Sequence, residues 1–301
     1  MKDFSKVYNK ICSDLENYCK DNNIKALILG ISGGIDSTVC AIICQKVAQK
    51  LGIKFIGRSL PIKNKRDEFD TSKLIGEAFC DDFKIIGLGG LYGHFLDTIG
   101  FEINDEISIH DNIVDSEKNI EFFQTKIANG NIQARLRMAY LYNLASINKG
   151  MVIDTDNLTE NYLGFFTVHG DVGDYKPIGG LWKTEVYELA NFLYSKLKNF
   201  KGIIPSKIES KRLEALKSSI EITPTDGLGI SSSDLEQIGA KSYEEVDSIL
   251  QGEILSNNFT SDKLRLLNVE MHSEHMDVVE KVLTRYKNSQ FKRNVTFKTE
   301  F

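Results

Sequence analysis

The apolar positions of this chain follow two spacings, one typical of buried strands and one typical of amphipathic helices. Continuous apolar runs predict parallel strands, buried on both faces, over 26–29, 55–60, 83–88 and 151–155. Helical spacing predicts helices over 39–51, 70–79, 117–127, 132–147, 184–197 and 264–286, after an opening helix over 4–18. The alternation of strands with helices predicts an α/β fold, namely a Rossmann-like, doubly wound parallel sheet in three layers with helices on both faces.

Length and composition are those of a soluble, globular protein. The 301 residues, of which 42% are hydrophobic, are expected to form a single domain over 1–301. Charge runs, prolines and glycines predict a mobile covering segment over 199–235, and a C-terminal helical segment is expected over 261–301. The net charge of −5 argues against a nucleic-acid partner, and the absence of any run of about 18 apolar residues argues against a membrane. Five cysteines, none in a CxxC pair, predict reduced thiols and a cytoplasmic location.

The first predicted strand runs directly into a glycine loop, GISGGIDS, at 30–37. Gly33 and Gly34 let backbone approach a ligand, and the amides at the start of the following helix attract anions. The acid Asp36 would repel a phosphate unless it holds Mg²⁺ against it. The loop therefore indicates a magnesium-dependent phosphate site. An ordinary strand-turn-helix corner is the alternative, but such a corner needs neither the serines of this loop nor the acid.

A second segment, over 131–138, carries two arginines on a predicted helix. Arg135 and Arg137 lie two residues apart and therefore point in different directions. One of them could reach a phosphate or carboxylate while the other braces the structure. A solvated surface charge is the ordinary interpretation of an arginine on such a helix, so this segment depends on its neighbours for its meaning.

A third segment, over 154–160, follows the last predicted strand. Polar residues at the carboxyl end of a strand are well placed for function in a parallel sheet. Thr155 is a candidate for a nucleotide contact, and Glu160 is a candidate to join Asp36 on the metal. Capping of the next helix is an equally good interpretation of Thr155 or Asp156 alone.

The segment over 164–183 is rich in glycine and carries two acids, Asp171 and Asp174, as expected of a loop shaped around a ligand. Lys183 immediately precedes the next predicted helix, where a cation opposes the helix dipole. That unfavourable interaction, of about a few tenths to 1 kcal/mol, indicates a negative partner such as an ATP phosphate. His169 fits a structural role as well as a ligand contact.

The glycine loop resembles the SGGxDS loop of ATP pyrophosphatases, and later blocks narrow the resemblance. The blocks are GISGGIDS at 30–37, NIQARLRM at 131–138, TDNLTE at 155–160, GFFTVHGD at 164–171, PIGGLWK at 177–183, PTDGL at 224–228 and FKR at 291–293. In this order they make the chain similar to ammonia-dependent NAD synthetases, within the adenine-nucleotide α-hydrolase-like group. Such enzymes adenylate the nicotinate carboxylate of deamido-NAD with ATP and amidate it with ammonia, giving NAD, AMP and pyrophosphate.

The resemblance implies a set of site residues. It assigns ATP to Gly30, Ile31, Ser32, Gly33, Gly34, Ile35, Asp36, Ser37, Arg58, Thr155, Lys183 and Thr225. It assigns deamido-NAD to Arg135, His169, Asp171, Asp174, Phe291 and Lys292, and Mg²⁺ to Asp36 and Glu160. Asp36, Ser37 and Lys183 are the expected catalytic residues. The resemblance also implies a homodimer whose dinucleotide site is built partly across the subunit interface.

The chain departs from the family pattern at several positions. Asp154 stands where a glycine is usual, Val168 where a lysine is common and Phe291 where a histidine is frequent, and the acidic loop is about one residue shorter. These departures concern the acceptor rather than the adenylation residues, and His169 is a candidate substitute for the lysine that Val168 replaces. Only about 23 residues precede the first predicted strand, too few for a glutaminase domain of roughly 100 to 200 residues. Free ammonia is therefore the expected nitrogen donor.

Two other functions remain possible at this stage. Another SGGxDS enzyme, such as a GMP-synthetase-like or tRNA-modifying core, would use the same loop with a different acceptor, although the acidic balance argues against tRNA. A non-catalytic nucleotide sensor would bind ATP without turnover. Identity of the acceptor and release of pyrophosphate distinguish these functions from the one that the resemblance implies.

Overall fold

A parallel sheet lies at the centre of the computed structural model, which describes residues 2–62, 66–100, 116–199, 207–222, 233–256 and 273–293. Its strands in the described ranges are β1 (Ala26–Gly30), β2 (Lys54–Ser59), β3 (Asp82–Ile85) and β4 (Gly150–Val152), in the order β3-β2-β1-β4. The chain builds outward from β1 to β3 and then returns to place β4 on the other side of β1. This reversal makes the carboxyl end of β1 the switch point at which ligands bind in such sheets.

Both faces of the sheet are covered. Along β1, Leu27 and Leu29 belong to one hydrophobic cluster, Ala26 and Ile28 belong to another, and all four side chains are fully buried. Alternate residues of a strand point to opposite faces, so a strand buried on both sides has no polar positions. The predicted three-layer α/β fold is confirmed.

The helices sort onto the two faces by their apolar sides. The first face carries α1 (Phe4–Asp21), α2 (Ile35–Leu51), α3 (Arg66–Phe79), α7 (Lys183–Lys198) and α8 (Lys207–Glu221). The second face carries α5 (Ser116–Asn148), which α4 (Gly89–Thr98) contacts. No helix in the described ranges has the length and apolar character that spanning a membrane requires.

A third cluster lies among the C-terminal helices. It contains α6 (Leu158–Leu163), α9 (Asp234–Ile238), α10 (Tyr243–Ser256) and α11 (Ser273–Asn288), and the short helix α12 (Gln290–Arg293) follows. Leu163 of α6 packs with Val246, Leu250 and Val282 in this cluster. The C-terminal helices are thereby attached to α6, which follows β4 directly.

The structure differs from the sequence predictions in several elements. The two helices expected over 117–127 and 132–147 are one helix, α5, because its single Gly130 costs only about 1 kcal/mol and a packed helix tolerates it. The strands expected over 83–88 and 151–155 end at Ile85 and Val152, and α4, α8, α9 and α10 were not predicted. The start of the helix expected over 264–286 lies outside the described residues.

The segment over 199–235 also differs from its prediction as a mobile cover. Within it, α8 packs against α3 and α7, and its Ala215 and Leu216 are fully buried. Of the charged residues of α8, Lys207, Glu214 and Lys217 are exposed, whereas Lys211 pairs with Glu77 and Arg212 donates to the Ala78 carbonyl of α3. The mobility of the rest of the segment stays a prediction.

Candidate active site

A cavity of about 650 Å³ opens at the carboxyl ends of the strands. It is lined by the glycine loop after β1, by Arg58 and Leu60 at the end of β2, by Thr155 after β4, and by parts of α5 and α6. The cavity therefore lies at the predicted switch point of the sheet.

The glycine loop makes a sharp turn into α2. Gly33 has a φ of +100°, in the left-handed region that favours glycine. Helix α2 begins at Ile35, four residues before the predicted start, so that Asp36 and Ser37 lie in its first turn. The Ser37 hydroxyl donates to the Gly34 carbonyl at 3.0 Å. The first amides of a helix have no intrahelical partner, and Gly34 at the N-cap of α2 has no side chain to accept from them. These amides are therefore available to an anion.

A buried ammonium group joins the two predicted metal ligands. Lys183 Nζ lies 2.5 Å from Asp36 Oδ2 and 2.9 Å from Glu160 Oε1, and its side chain is 2% exposed. Burial alone would lower the pKa of Lys183, but the two carboxylates raise it well above its usual value. The lysine is thus held as a cation inside the cavity, between the two carboxylates that the sequence analysis assigned to one metal ion.

The pKa of Glu160 is raised to about 7. Burial is the largest cause, the ammonium group of Lys183 opposes it, and the Asp36 carboxylate adds to it. Near pH 7 Glu160 is therefore partly protonated and repels Asp36 less than a full negative charge would. A further cation bound at these carboxylates would favour the ionised form of Glu160.

Asn157 orients both carboxylates and was missed in the sequence analysis. Its Nδ2 donates to Asp36 Oδ1 at 2.9 Å, and its Oδ1 accepts from the Glu160 amide at 3.0 Å. The Glu160 carboxylate in turn accepts from the Asn157 amide at 3.2 Å, which completes a capping box at the start of α6. The spacing Asn-x-x-Glu was the signal for this cap, and it begins one residue after Asp156, the second of the two positions considered for capping.

The segment after β4 is tied to the acidic loop. Asp154 is fully buried and accepts from the Asp156 amide at 2.8 Å, from the Gly173 amide at 3.1 Å and from Lys176 Nζ at 3.3 Å. A Cβ at Gly173 would lie 2.7 Å from the Val152 carbonyl oxygen, so the close approach requires glycine. Asp154, which stands where the family usually has a glycine, thus connects the segment after β4 to the acidic loop. Thr155, the next residue, lines the cavity.

The two arginines of α5 have different surroundings. Arg137 lines the cavity, and its Nε donates to the Leu60 carbonyl at 3.0 Å. Arg135, the residue that the resemblance assigns to deamido-NAD, is exposed outside the cavity lining and donates to the Val168 carbonyl at 3.4 Å. Arg137, to which the resemblance assigned no ligand, thus lines the cavity. The assignment of Arg135 to deamido-NAD stays a prediction.

Two of the predicted dinucleotide residues lie in the cavity. Asp171 accepts from the Thr167 amide at 2.7 Å, and Lys292 Nζ donates to the carbonyls of Gly164 at 2.8 Å and Phe166 at 2.6 Å. Burial lowers the pKa of Lys292. An acid and a base therefore line this end of the cavity.

Three other predicted dinucleotide residues do not line the cavity. Asp174 accepts from the Tyr142 hydroxyl at 3.0 Å and from the Val152 amide at 2.8 Å, so its carboxylate bridges β4 and α5. His169 is exposed with a φ of +60°, and Phe291 is 69% exposed. The structure gives Asp174 a structural role and leaves the ligand contacts of His169 and Phe291 as predictions.

Among the predicted ATP residues, Arg58 is buried at the cavity wall. Its guanidinium binds Asp82 at 2.8 Å, while its buried Nε has no hydrogen-bond partner in the described part of the chain. Such an unpaired buried donor is uncommon. Thr225 lies outside the described residues.

Sequence comparisons match most of the chain to known proteins. The model of the NAD synthase family matches residues 7–296. An NH(3)-dependent NAD(+) synthetase of Thermococcus sibiricus is 28% identical over 97% of this chain and 96% of its own.

Solved structures share the fold over the whole chain. An NMN synthetase from Francisella tularensis matches with a TM-score of 0.71 at 23% identity, over 100% of both chains. An NH3-dependent NAD synthetase from Campylobacter jejuni matches with a TM-score of 0.63 at 20% identity, also over 100% of both chains. At these identities the structural matches establish the fold alone.

The first prediction concerns the pH dependence of stability without ligands. Burial raises the pKa of Asp171 from 3.8 to about 7, so the folded protein holds a proton there that the unfolded chain has lost. The free energy of unfolding should therefore fall as the pH rises from about 4 to about 7. Urea titrations should show a shallower fall for Asp171→Asn, which cannot ionise but can still accept from the Thr167 amide.

Asp14→Asn is the matched control, because Asp14 on α1 has a side chain that is 45% exposed. This variant should keep the pH slope of the wild type. Identical slopes for the wild type and Asp171→Asn would contradict the assignment of the raised pKa to Asp171.

Proposed function

The chain belongs to the NAD synthase family, and from that premise we propose that it is an ammonia-dependent NAD synthetase. The proposed reaction adenylates the nicotinate carboxylate of deamido-NAD with ATP and amidates it with ammonia, giving NAD, AMP and pyrophosphate. One observation carries the proposal. The free amides at the start of α2, the buried Lys183 and two carboxylates meet in one cavity, which suits a triphosphate undergoing attack.

The reaction proceeds in two balanced steps. A carboxylate oxygen of deamido-NAD attacks the α-phosphorus of ATP, and the bond from that phosphorus to the bridging oxygen breaks, so that pyrophosphate leaves. Ammonia then attacks the carbonyl carbon, AMP leaves with the electron pair of the broken carbon–oxygen bond, and the new amide loses a proton. Neither step needs a protein nucleophile, so orientation and charge stabilisation dominate.

The described residues fit these demands. The amides of α2 and the ammonium of Lys183 stabilise the charge on the departing pyrophosphate, and Ser37 adds a hydroxyl at the same loop. Arg58 and Thr155 are proposed to contact the rest of ATP. Asp171 and Lys292 are proposed for deamido-NAD, and Arg137 is added to them because it lines the cavity.

The residues at the cavity also fit Mg²⁺. Asp36 and Glu160 offer hard oxygen ligands, but Lys183 Nζ already lies between them, and no cluster of three or more candidate ligands occurs in the described residues, so Mg²⁺ would have to share these carboxylates with the ammonium group. Mg²⁺ commonly takes one or two carboxylates and completes its shell with substrate phosphates and water. When bound, it would neutralise phosphate charge next to Lys183.

We include a homodimer in the proposal. Leu91, Phe95 and Ile99 follow one another at helical spacing on α4 and its C-cap, and they are 52%, 38% and 49% exposed. Ile147 at the end of α5 is 72% exposed. Apolar rows of this kind are typical of interfaces. A cytoplasmic location also remains part of the proposal.

The assay for this function uses ATP, Mg²⁺, deamido-NAD and ammonium with liquid-chromatographic detection. We expect equal amounts of NAD and AMP, and glutamine should not replace ammonium. Nicotinate mononucleotide is the key competing acceptor because one structure with this fold is an NMN synthetase. Turnover with that acceptor or with xanthylate, but not with deamido-NAD, would reject the proposed acceptor, and ATP binding without pyrophosphate release would indicate a sensor.

The metal assignment is tested by removing each carboxylate. Asp36→Asn and Glu160→Gln should each lower kcat by about 100-fold or more, because each loses a charged ligand at the reacting phosphates. Mn²⁺ binding in the presence of ATP, followed by electron paramagnetic resonance, should weaken in both variants. Asp277→Asn, at a position whose side chain is 60% exposed, is the control. Unchanged Mn²⁺ binding in both site variants would refute the assignment.

Sedimentation velocity tests the dimer. The wild type should sediment as a dimer at micromolar concentration, and Leu91→Glu should shift it towards monomer by placing a charge in the apolar row of α4. Glu188→Lys, a change of charge at an exposed position of α7, should leave the wild-type assembly unchanged. A monomeric wild type would contradict this part of the proposal.

A further inference from the structure

Helix α7, which begins at Lys183, is capped by residues from elsewhere in the chain. Its N-cap residue is Trp182, whose side chain makes no capping hydrogen bond. The Lys183 amide instead donates to Thr159 Oγ1 at 2.8 Å, and the Thr184 amide donates to Asp247 Oδ2 at 3.0 Å. Two amides that an isolated helix would leave unpaired are therefore satisfied by α6 and α10.

Asp247 is the centre of this cap. It is 2% exposed and accepts three hydrogen bonds, from the Thr184 amide, from Thr184 Oγ1 at 2.7 Å and from Thr159 Oγ1 at 2.5 Å. A carboxylate at a helix N-terminus interacts favourably with the helix dipole. It also offsets the unfavourable position of the Lys183 cation at the same terminus.

The residues that Asp247 holds are the immediate neighbours of the ion pair. Thr159 precedes Glu160, and Thr184 follows Lys183. We propose that Asp247 is a positioning residue, which fixes the Lys183 ammonium against Asp36 and Glu160 without itself lining the cavity. This inference rests on the proposed function, because it gives Lys183 its role at the phosphates.

A second contact from α10 reaches the same lysine. The Tyr243 ring lies 5.5 Å from Lys183 Nζ, and Tyr243 stands four residues before Asp247, on the same side of the helix. Helix α10 therefore contacts Lys183 at its backbone, through Asp247 and Thr159, and at its ammonium, through Tyr243. Both contacts connect Lys183 to α10, whose Val246 and Leu250 belong to the third hydrophobic cluster.

The test replaces the carboxylate with an amide of the same size. Asp247→Asn removes the negative charge and one accepting oxygen, so the Thr159 hydroxyl must accept from the new NH₂ group instead of donating to a carboxylate, and the charge at the start of α7 is lost. We expect kcat to fall about 10- to 100-fold, the range for groups that hold a ligating group in place. The KM for ATP should change much less than kcat. Glu244→Gln, an exposed position on α10, is the matched control and should behave as the wild type.

Trp182 provides a readout that does not depend on activity. It is the only tryptophan of the chain and stacks on Tyr162 with ring centroids 5.7 Å apart. Its fluorescence should change in Asp247→Asn and not in Glu244→Gln, at a temperature where circular dichroism shows both to be folded. An unchanged Trp182 spectrum together with a wild-type kcat in folded Asp247→Asn would overturn the proposal.

A double-mutant cycle separates positioning from general stabilisation. Residual turnover of Lys183→Met, followed with radiolabelled ATP, should fall no further when Asp247→Asn is added, because the lost effect passes through Lys183. Full additivity of the two decreases would overturn the proposal. Failure of the proposed function would appear instead as a wild type that makes no NAD, whereas the Trp182 measurement requires no acceptor.

Discussion

The site depends on the burial of one ammonium group between two carboxylates. Removing Lys183 from water is costly, and Asp36 and Glu160 at hydrogen-bonding distance offset that cost. Loss of one partner from such a pair typically costs about 3 to 5 kcal/mol because it leaves an uncompensated charge. The three elements that carry these residues, α2, α6 and α7, must therefore meet at one point, which lies at the carboxyl end of β1.

The surrounding polar groups enforce that meeting. Asn157 holds both carboxylates, while Thr159 and Asp247 hold the backbone on either side of the ion pair. None of these residues presents a new charge to the cavity centre. Their arrangement keeps the ammonium and carboxylates rigid before any ligand arrives, and preorganised charge of this kind is what phosphoryl and adenylyl transfer require.

Local features were predictable from the sequence, and distant partners were not. The strand-loop-helix unit at 24–51 follows from neighbouring residues, whereas Asp36 was paired with Glu160 from the preference of Mg²⁺ for carboxylate oxygens and from the family resemblance. Asp247 lies 63 residues beyond Thr184, and no local spacing indicates that α10 caps α7. The choice between Arg135 and Arg137 depends on the rotation of α5 about its axis, which its weak amphipathicity does not set.

Asp154, the buried residue that departs from the family pattern, lies on one side of the cavity. Asp154, where a glycine is usual, is buried against Gly173 and Lys176, and Asp174 bridges β4 to α5. Both acids hold the shortened loop onto the sheet. Because this loop borders Asp171 and not the start of α2, the substitutions reshape the side of the cavity that would receive the acceptor. In the proposed assignment, the residues for adenylation and the residues for the acceptor therefore lie in different parts of this structure.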